Sequence, residues 1–565
     1  MTDSTASATI SRRRCLVGAA SLVGVGATLR SNVAGATESV GTRGASVVLT
    51  ASRDNAVVPT AGGHVRGYTR NGVYTFKGIP YAESTAGMNR FMPPVRLKPW
   101  SGVRSCLSYG PVSPQPPAHD LQNDEMNFLV PQDDGVQGED CLRVNVWTPV
   151  LGANGKLPVM VFLHGGRYTS GSGQLLRAYD GENLSRRGEV VVLSLNHRLG
   201  ALGFMDLSKF DERYALSGNA GMLDILAALE WVRDNISAFG GNPGCITIFG
   251  HSGGAGKVTA LTAMPGARGL FHRAIAQSGP VLRMRTPQAA QRLAEETLHE
   301  LEVDRKRQSE LQRLPYSQIV AAGSKVISRY SGPIFSPDLS RLEDTVGWAP
   351  VSDGKILLQP FDPEGLRVAA HVPMLMGTTL NEIATNIGYP EGEAMTETEL
   401  LARVKEKVGE RAGQVVAAFR QRTPEAKAFD LWSRIASAPV RGAVIEQCKR
   451  KVMAGEAPVW LYWFTWQTPV LDGRPHAFHG AELPFVFDNA ELCDTATGGG
   501  RGAMELARRM SDTWVQFART GNPNHAGLEN WPAFTAERES TMIFDTRCQA
   551  QDGPDRKELA TVPPA

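Results

Sequence analysis

Short apolar runs alternate with longer segments of helical spacing over most of the chain. The runs at 159–163, 190–195, 246–249, 274–276, 374–376 and 459–464 are rich in Val, Ile, Leu and aromatic residues, and Gly, Pro or polar residues bound them. Runs this short and uniformly apolar read as parallel strands buried on both faces. Between them, segments such as 222–232 and 504–518 place apolar residues at helical spacing. The alternation predicts an α/β fold with one continuous, mostly parallel central sheet. Residues 37–59 are small, polar and patternless, as a linker would be. No repeat or second linker follows, so the expected organisation is one domain over residues 60–548 with a tail at 549–565.

Residues 1–36 read as a processing segment. Arg12, Arg13 and Arg14 precede a Gly-rich apolar stretch at 15–29, and Ala34-Gly35-Ala36 supplies small residues for cleavage. This is similar to a twin-arginine export signal, which predicts a periplasmic or extracellular protein. The stretch is shorter than the roughly 20 apolar residues a membrane helix needs, and Cys15 precedes the apolar core. Neither a stable anchor nor a lipoprotein cysteine is expected. Cleavage after Ala36 would remove four Arg and one Asp, changing the formal charge from +2 to −1.

Composition removes several function classes. The chain of 565 residues has 59 Lys+Arg against 57 Asp+Glu, 42% hydrophobic and 21% charged residues. These values exclude intrinsic disorder and collagen, and scattered basic residues give no reason to invoke nucleic acid. Beyond the signal stand Cys106, Cys141, Cys245, Cys448, Cys493 and Cys548, too few for a disulfide framework in this length and without metal-ligand spacing. Cys245 opens an apolar strand and is expected to be a buried thiol. Gly256-Lys257 superficially suggests a phosphate loop, but that motif needs Gly at His251 and Ser or Thr at Val258. No metal or organic cofactor is expected.

Chemistry enters where the strand at 246–249 runs into Gly250-His251-Ser252-Gly253-Gly254 and a segment able to form a helix. In this G-x-S-x-G context small residues let the backbone turn sharply and present the Ser252 hydroxyl at the carboxyl edge of the sheet. Upstream, the strand at 159–163 opens into His164-Gly165-Gly166-Arg167. Glycines there let backbone N–H groups face a developing alkoxide, so the N–H groups of Gly166, Arg167 and Gly253 are the predicted oxyanion donors.

With these two motifs, further ordered stretches resemble the type B carboxylesterase family, which includes para-nitrobenzyl esterases and cholinesterases. They are Phe76-Lys77-Gly78-Ile79-Pro80-Tyr81-Ala82, Arg90-Phe91-Met92-Pro93-Pro94, Glu139-Asp140-Cys141-Leu142, Asn196-His197-Arg198-Leu199-Gly200, Gly218-Asn219-Ala220-Gly221, Phe239-Gly240-Gly241-Asn242-Pro243 and Trp514-Val515-Gln516-Phe517-Ala518. The resemblance spans about Thr60 to Phe544. It implies an α/β-hydrolase fold in which residues 280–372 and 389–454 insert helices around a substrate gorge.

A serine needs a base and an orienting acid, in the chain order Ser, Asp/Glu, His. His479 follows the strand at 459–464 through a loop, in a stretch similar to the family's catalytic-histidine segment; His476 is the runner-up. Glu382 follows the strand at 374–376 and aligns with the family's catalytic glutamate, although Asn381 stands where an aspartate is common. Two departures bear on substrate. Arg167 replaces a usual Gly or Ala and His251 a usual Glu, which shifts the neighbourhood of the serine toward positive charge. Both are therefore candidate substrate contacts for esters bearing an anion, such as those of di- or tricarboxylic acids; the alternative has Arg167 turned outward as scaffold. A third departure is Ser113, where many relatives place the cysteine that bridges to the one at Cys141; whether Cys106 substitutes is open. The expected function is a secreted serine carboxylesterase acting on small-molecule esters through an acyl-enzyme. Amide or carbamate hydrolysis by the same triad, and a non-catalytic cholinesterase-like adhesion module, are the alternatives. Acyl and alcohol preference and oligomeric state are not legible.

Overall fold

The computed structural model describes residues 48–117, 123–330 and 341–563. The expected export signal lies outside the described residues. The central sheet comprises β1 (Leu49–Thr50), β2 (Tyr68–Arg70), β3 (Val73–Pro80), β4 (Arg143–Thr148), β5 (Leu157–Leu163), β6 (Val191–Leu195), β7 (Gly241–His251), β8 (Arg273–Gln277), β9 (Met374–Thr379), β10 (Val459–Phe464), β11 (Ser540–Phe544) and β12 (Gln549–Asp552). Their spatial order is β1-β2-β3-β4-β6-β5-β7-β8-β9-β10-β11-β12. Pairing is parallel from β6 through β11 and antiparallel at both ends. The predicted α/β-hydrolase architecture is therefore present, and every apolar run falls on a strand of the parallel portion.

These strands read as continuous apolar runs because each face meets its own core. Along β5, Val159, Val161 and Leu163 point into one cluster with Met222, Ile225 and Leu229 of α1 (Ala220–Asn235). Met160 and Phe162 point into the other, with Leu506, Met510, Trp514 and Phe517 of the amphipathic helix Arg501–Thr520. The period of two is thus satisfied on both sides at once.

The described fold begins and ends beyond the expected domain limits. Leu49–Thr50 pairs with β2, and Val57–Thr60 joins a separate three-stranded sheet with Gly63–Arg66 and Val103–Ser105, so 48–59 is not all linker. The expected tail supplies β12 and the helix Arg556–Leu559, whose neighbour Asp555 is buried and pairs with buried Arg441. These segments are short: Val58 joins the main core, Leu559 packs against it, and backbone pairing and ion pairs hold the rest. The sequence 280–372 inserts Pro287–Glu300, Tyr316–Ser328 and Pro363–Val368; 389–454 inserts Glu397–Val408, Ala412–Arg422 and the long helix Ala428–Met453. No helix among the described residues is long and apolar enough to cross a membrane.

Candidate active site

Strand β7 carries Gly250 and His251 to the carboxyl edge of the sheet, and helix α2 (Gly253–Thr262) begins immediately after Ser252. Ser252 has φ 57° and ψ −123°, a strained conformation for a non-glycine residue. It is held there from both sides: its N–H donates to the Gln277 carbonyl at 2.8 Å, and its own carbonyl accepts from the Gly256 N–H at 3.2 Å. The flanking glycines are required by packing. A Cβ on Gly250 would lie 2.6 Å from the Gly254 backbone, and one on Gly254 would lie 1.9 Å from the Leu163 carbonyl oxygen.

The turn after β5 lies against this elbow. Gly166 and Arg167 both take positive φ, 84° and 57°, and the Gly166 carbonyl accepts from the N–H groups of Thr169 and Ser170. A Cβ on Gly253 would stand 2.5 Å from the Arg167 backbone nitrogen. The absence of a side chain at Gly253 thus lets the Arg167 backbone of the predicted N–H cluster pack against it, next to Ser252. Such a cluster can stabilise negative charge on a carbonyl oxygen.

Glu382 follows β9 and His479 follows β10. The Nδ1–H of His479 donates to Glu382 Oε2 at 2.5 Å, while Glu382 Oε1 accepts from the Thr379 N–H at 2.7 Å. Asn381 ties the two loops: its N–H donates to the Ala477 carbonyl and its Nδ2 to Ser433 Oγ at 2.7 Å. The residue that departs from the family pattern is therefore a structural link. Burial opposes the imidazolium of His479, but the charge and hydrogen bond of Glu382 outweigh it and raise the pKa. The ring keeps 38% side-chain exposure toward the cavity. Ser252 and His479 line the same cavity without a hydrogen bond between them, as is common for catalytic groups that close only around substrate. His476, the runner-up, turns instead to Asp430 at 3.2 Å and Gln467.

That cavity has a volume of about 310 Å³. Its walls come from segments near Leu129, Leu175, Phe478 and Leu492, so neither insertion expected to form the gorge contributes to its described lining; those helices pack on their own satellite core around Leu400, Phe419 and Leu431 or on the main one. The two candidate substrate contacts separate here. His251 is buried in the lining, its ring centroid 4.4 Å from that of His479, with Nε2 unpartnered. Burial, then the neighbouring His479, push its pKa well below the usual imidazole range, so it is uncharged. The Arg167 side chain is exposed and not part of the lining, although its charge reaches His479 and opposes protonation there.

Two nearby residues escaped the sequence reading. Arg177 is the only Lys, Arg, Asp or Glu in the described cavity lining, and nothing in its local sequence marks it. Glu482 is fully buried beside the pair, one oxygen accepting from Gln277 Nε2 at 3.2 Å, and burial together with Glu382 pushes its carboxyl up to about 7. Its signal was available: an acid inside an otherwise apolar stretch. Elsewhere, Cys106 and Cys141 are buried and free, with Ser113 Oγ accepting from the Leu199 N–H at 3.0 Å. Cys245 is only half-buried, because β7 enters the sheet at that point and its thiol contacts the end of the helix Arg501–Thr520.

Known proteins agree with this architecture. The sequence profile of the carboxylesterase family matches residues 54–562. The para-nitrobenzyl esterase of Bacillus subtilis (strain 168) is 35% identical over 90% of this chain and 99% of that one. The fumonisin B1 esterase of Sphingopyxis macrogoltabida is 31% identical over 87% of each chain. A solved esterase from the anaerobe Clostridium hathewayi, one that can hydrolyse aliphatic aromatic polyesters, superposes with a TM-score of 0.77 at 36% identity, covering 91% of this chain and 99% of that one. The chain belongs to the carboxylesterase family, as a carboxylic ester hydrolase of α/β-hydrolase fold.

Proposed function

We propose that Ser252, His479 and Glu382 form the catalytic triad and that the enzyme works through an acyl-enzyme. Ser252 Oγ attacks the ester carbonyl as His479 accepts its proton, and the carbonyl oxygen becomes an oxyanion held by the N–H groups of Gly166, Arg167 and Gly253. Collapse expels the alcohol, protonated by His479; water then repeats the sequence on the acyl-enzyme and releases the acid. Glu382 fixes the imidazole tautomer and stabilises the imidazolium without becoming protonated. The observation that carries this reading is the 2.5 Å His479–Glu382 hydrogen bond set beside a strained serine in one cavity. Ser252→Ala should lower turnover of a para-nitrophenyl ester by roughly 10⁴ or more with the circular dichroism spectrum unchanged. Activity within about tenfold of the parent would remove Ser252 from the mechanism.

The finer reading is a preference for esters carrying an anion on the acyl side. A cavity whose described lining holds Arg177 and no carboxylate, and an uncharged His251 where relatives carry an acid, support it. Export by the twin-arginine route completes the proposal, on the strength of Arg12, Arg13 and the apolar stretch after them.

A further inference from the structure

Lys257 lies on α2, outside the cavity lining, and is fully buried. Its Nζ donates to the backbone carbonyl of His164 at 2.9 Å, and no carboxylate among the described residues pairs with it. The groups facing it are neutral. His164 and His197 stack with ring centroids 5.1 Å apart, each with Nε2 unpartnered, and the Tyr168 ring lies 5.9 Å from Nζ with its hydroxyl also unpartnered. Beyond His197, Arg198 is neutralised by two hydrogen bonds to Asp224. An unpaired buried ammonium is costly, and a neutral residue of similar length would pack there without that cost. Such a group is a candidate for function, and here its one partner immediately precedes the oxyanion turn.

We propose that Lys257 is a positioning residue of the oxyanion hole, acting through the His164 carbonyl. The proposal rests on the triad reading above. The hydrogen bond fixes the chain leaving β5, from which Gly165, Gly166 and Arg167 depart, ahead of the Gly166–Thr169 and Gly166–Ser170 hydrogen bonds that close the turn itself. The positive charge beside the turn also stabilises an oxyanion more than the neutral carbonyl that precedes it, so it acts on turnover rather than on substrate binding. Burial lowers the ammonium pKa to about 7, so the charge is present below that pH and lost above it. His479 imposes the opposite requirement, since it must be neutral to act as base and its pKa is raised. The product of the two is a kcat that passes through a maximum and falls on the alkaline side.

The test measures kcat and KM for para-nitrophenyl acetate from about pH 5 to about pH 9 in the parent, Lys257→Met, Lys257→Gln and Ser252→Ala, with thermal melts of each. Lys257→Met should lose roughly tenfold or more in kcat with KM within about twofold, lose the alkaline decline, and melt no lower than the parent, because an apolar isostere relieves a buried charge. Lys257→Gln, a donor without charge, should also lose the alkaline decline. A kcat within about twofold of the parent, or an unchanged alkaline limb in either variant, overturns the proposal. Should Lys257→Met not fold, the parent and Lys257→Gln decide, and a parent kcat that rises to a plateau overturns it as well. Retained activity in Ser252→Ala would instead strike the triad reading.

Discussion

Arg177 is exposed on the described cavity lining, which holds no Asp or Glu. It is better placed than Arg167 to meet an acyl-chain carboxylate, because the Arg167 side chain is absent from the lining. Solvent limits what such a contact contributes; an exposed pair contributes about 1 kcal/mol or less, roughly fivefold in kcat/KM. Arg177→Ala should therefore lower kcat/KM for a half-ester of a dicarboxylic acid by about that factor while sparing its neutral methyl ester. Arg167→Ala should act on both substrates alike. Equal losses for the two esters in Arg177→Ala would leave the arginine out of recognition. The sequence could not separate these arginines, since the direction of a side chain at a turn depends on the backbone φ and on what fills the space around it. The proposed triad could be sought in the sequence because chemistry constrains its order and its positions at strand ends.

At the scale of elements, close contact between β5 and α2 is the constraint that shapes the site. Gly254 and Gly442 make a controlled comparison. A Cβ on Gly254 meets the Leu163 carbonyl at 1.9 Å, whereas one on Gly442, inside the helix Ala428–Met453, meets nothing within 4 Å. Gly254→Ala should push strand and helix apart, lower the melting temperature and abolish ester hydrolysis. Gly442→Ala should leave activity intact and stabilise by about 0.5–1 kcal/mol, measurable by denaturant unfolding. The parallel strands were legible because both faces of each are buried, which leaves no polar position to break the run. Leu49–Thr50 and Gln549–Asp552 were not, since strands at the ends of the sheet expose residues whose pattern matches that of a loop. The cavity walls were illegible for a related reason: Leu129, Arg177 and Leu492 come from separate connections that only the folded sheet brings together.

On the scale of the whole molecule, the proposed export signal is tested at its paired arginines. Replacing Arg12 and Arg13 by Lys should leave precursor in the cytoplasm, and fractionation with N-terminal sequencing should otherwise find a secreted form beginning near Thr37. Normal export of the Lys variant would assign the segment another role.

The arrangement of β7, β9 and β10 also sets when activity can first exist. Ser252, Glu382 and His479 follow three different strands of one sheet, and β8, from a fourth segment, lies between two of them. With these three as the proposed triad, a chain still being synthesised has its nucleophile long before its base, and it should stay chemically silent until almost all of the sheet has been made. Hydrolysis is therefore a late and stringent reporter of complete folding, because a fragment ending before β10 lacks both His479 and the cavity wall around Phe478 and Leu492.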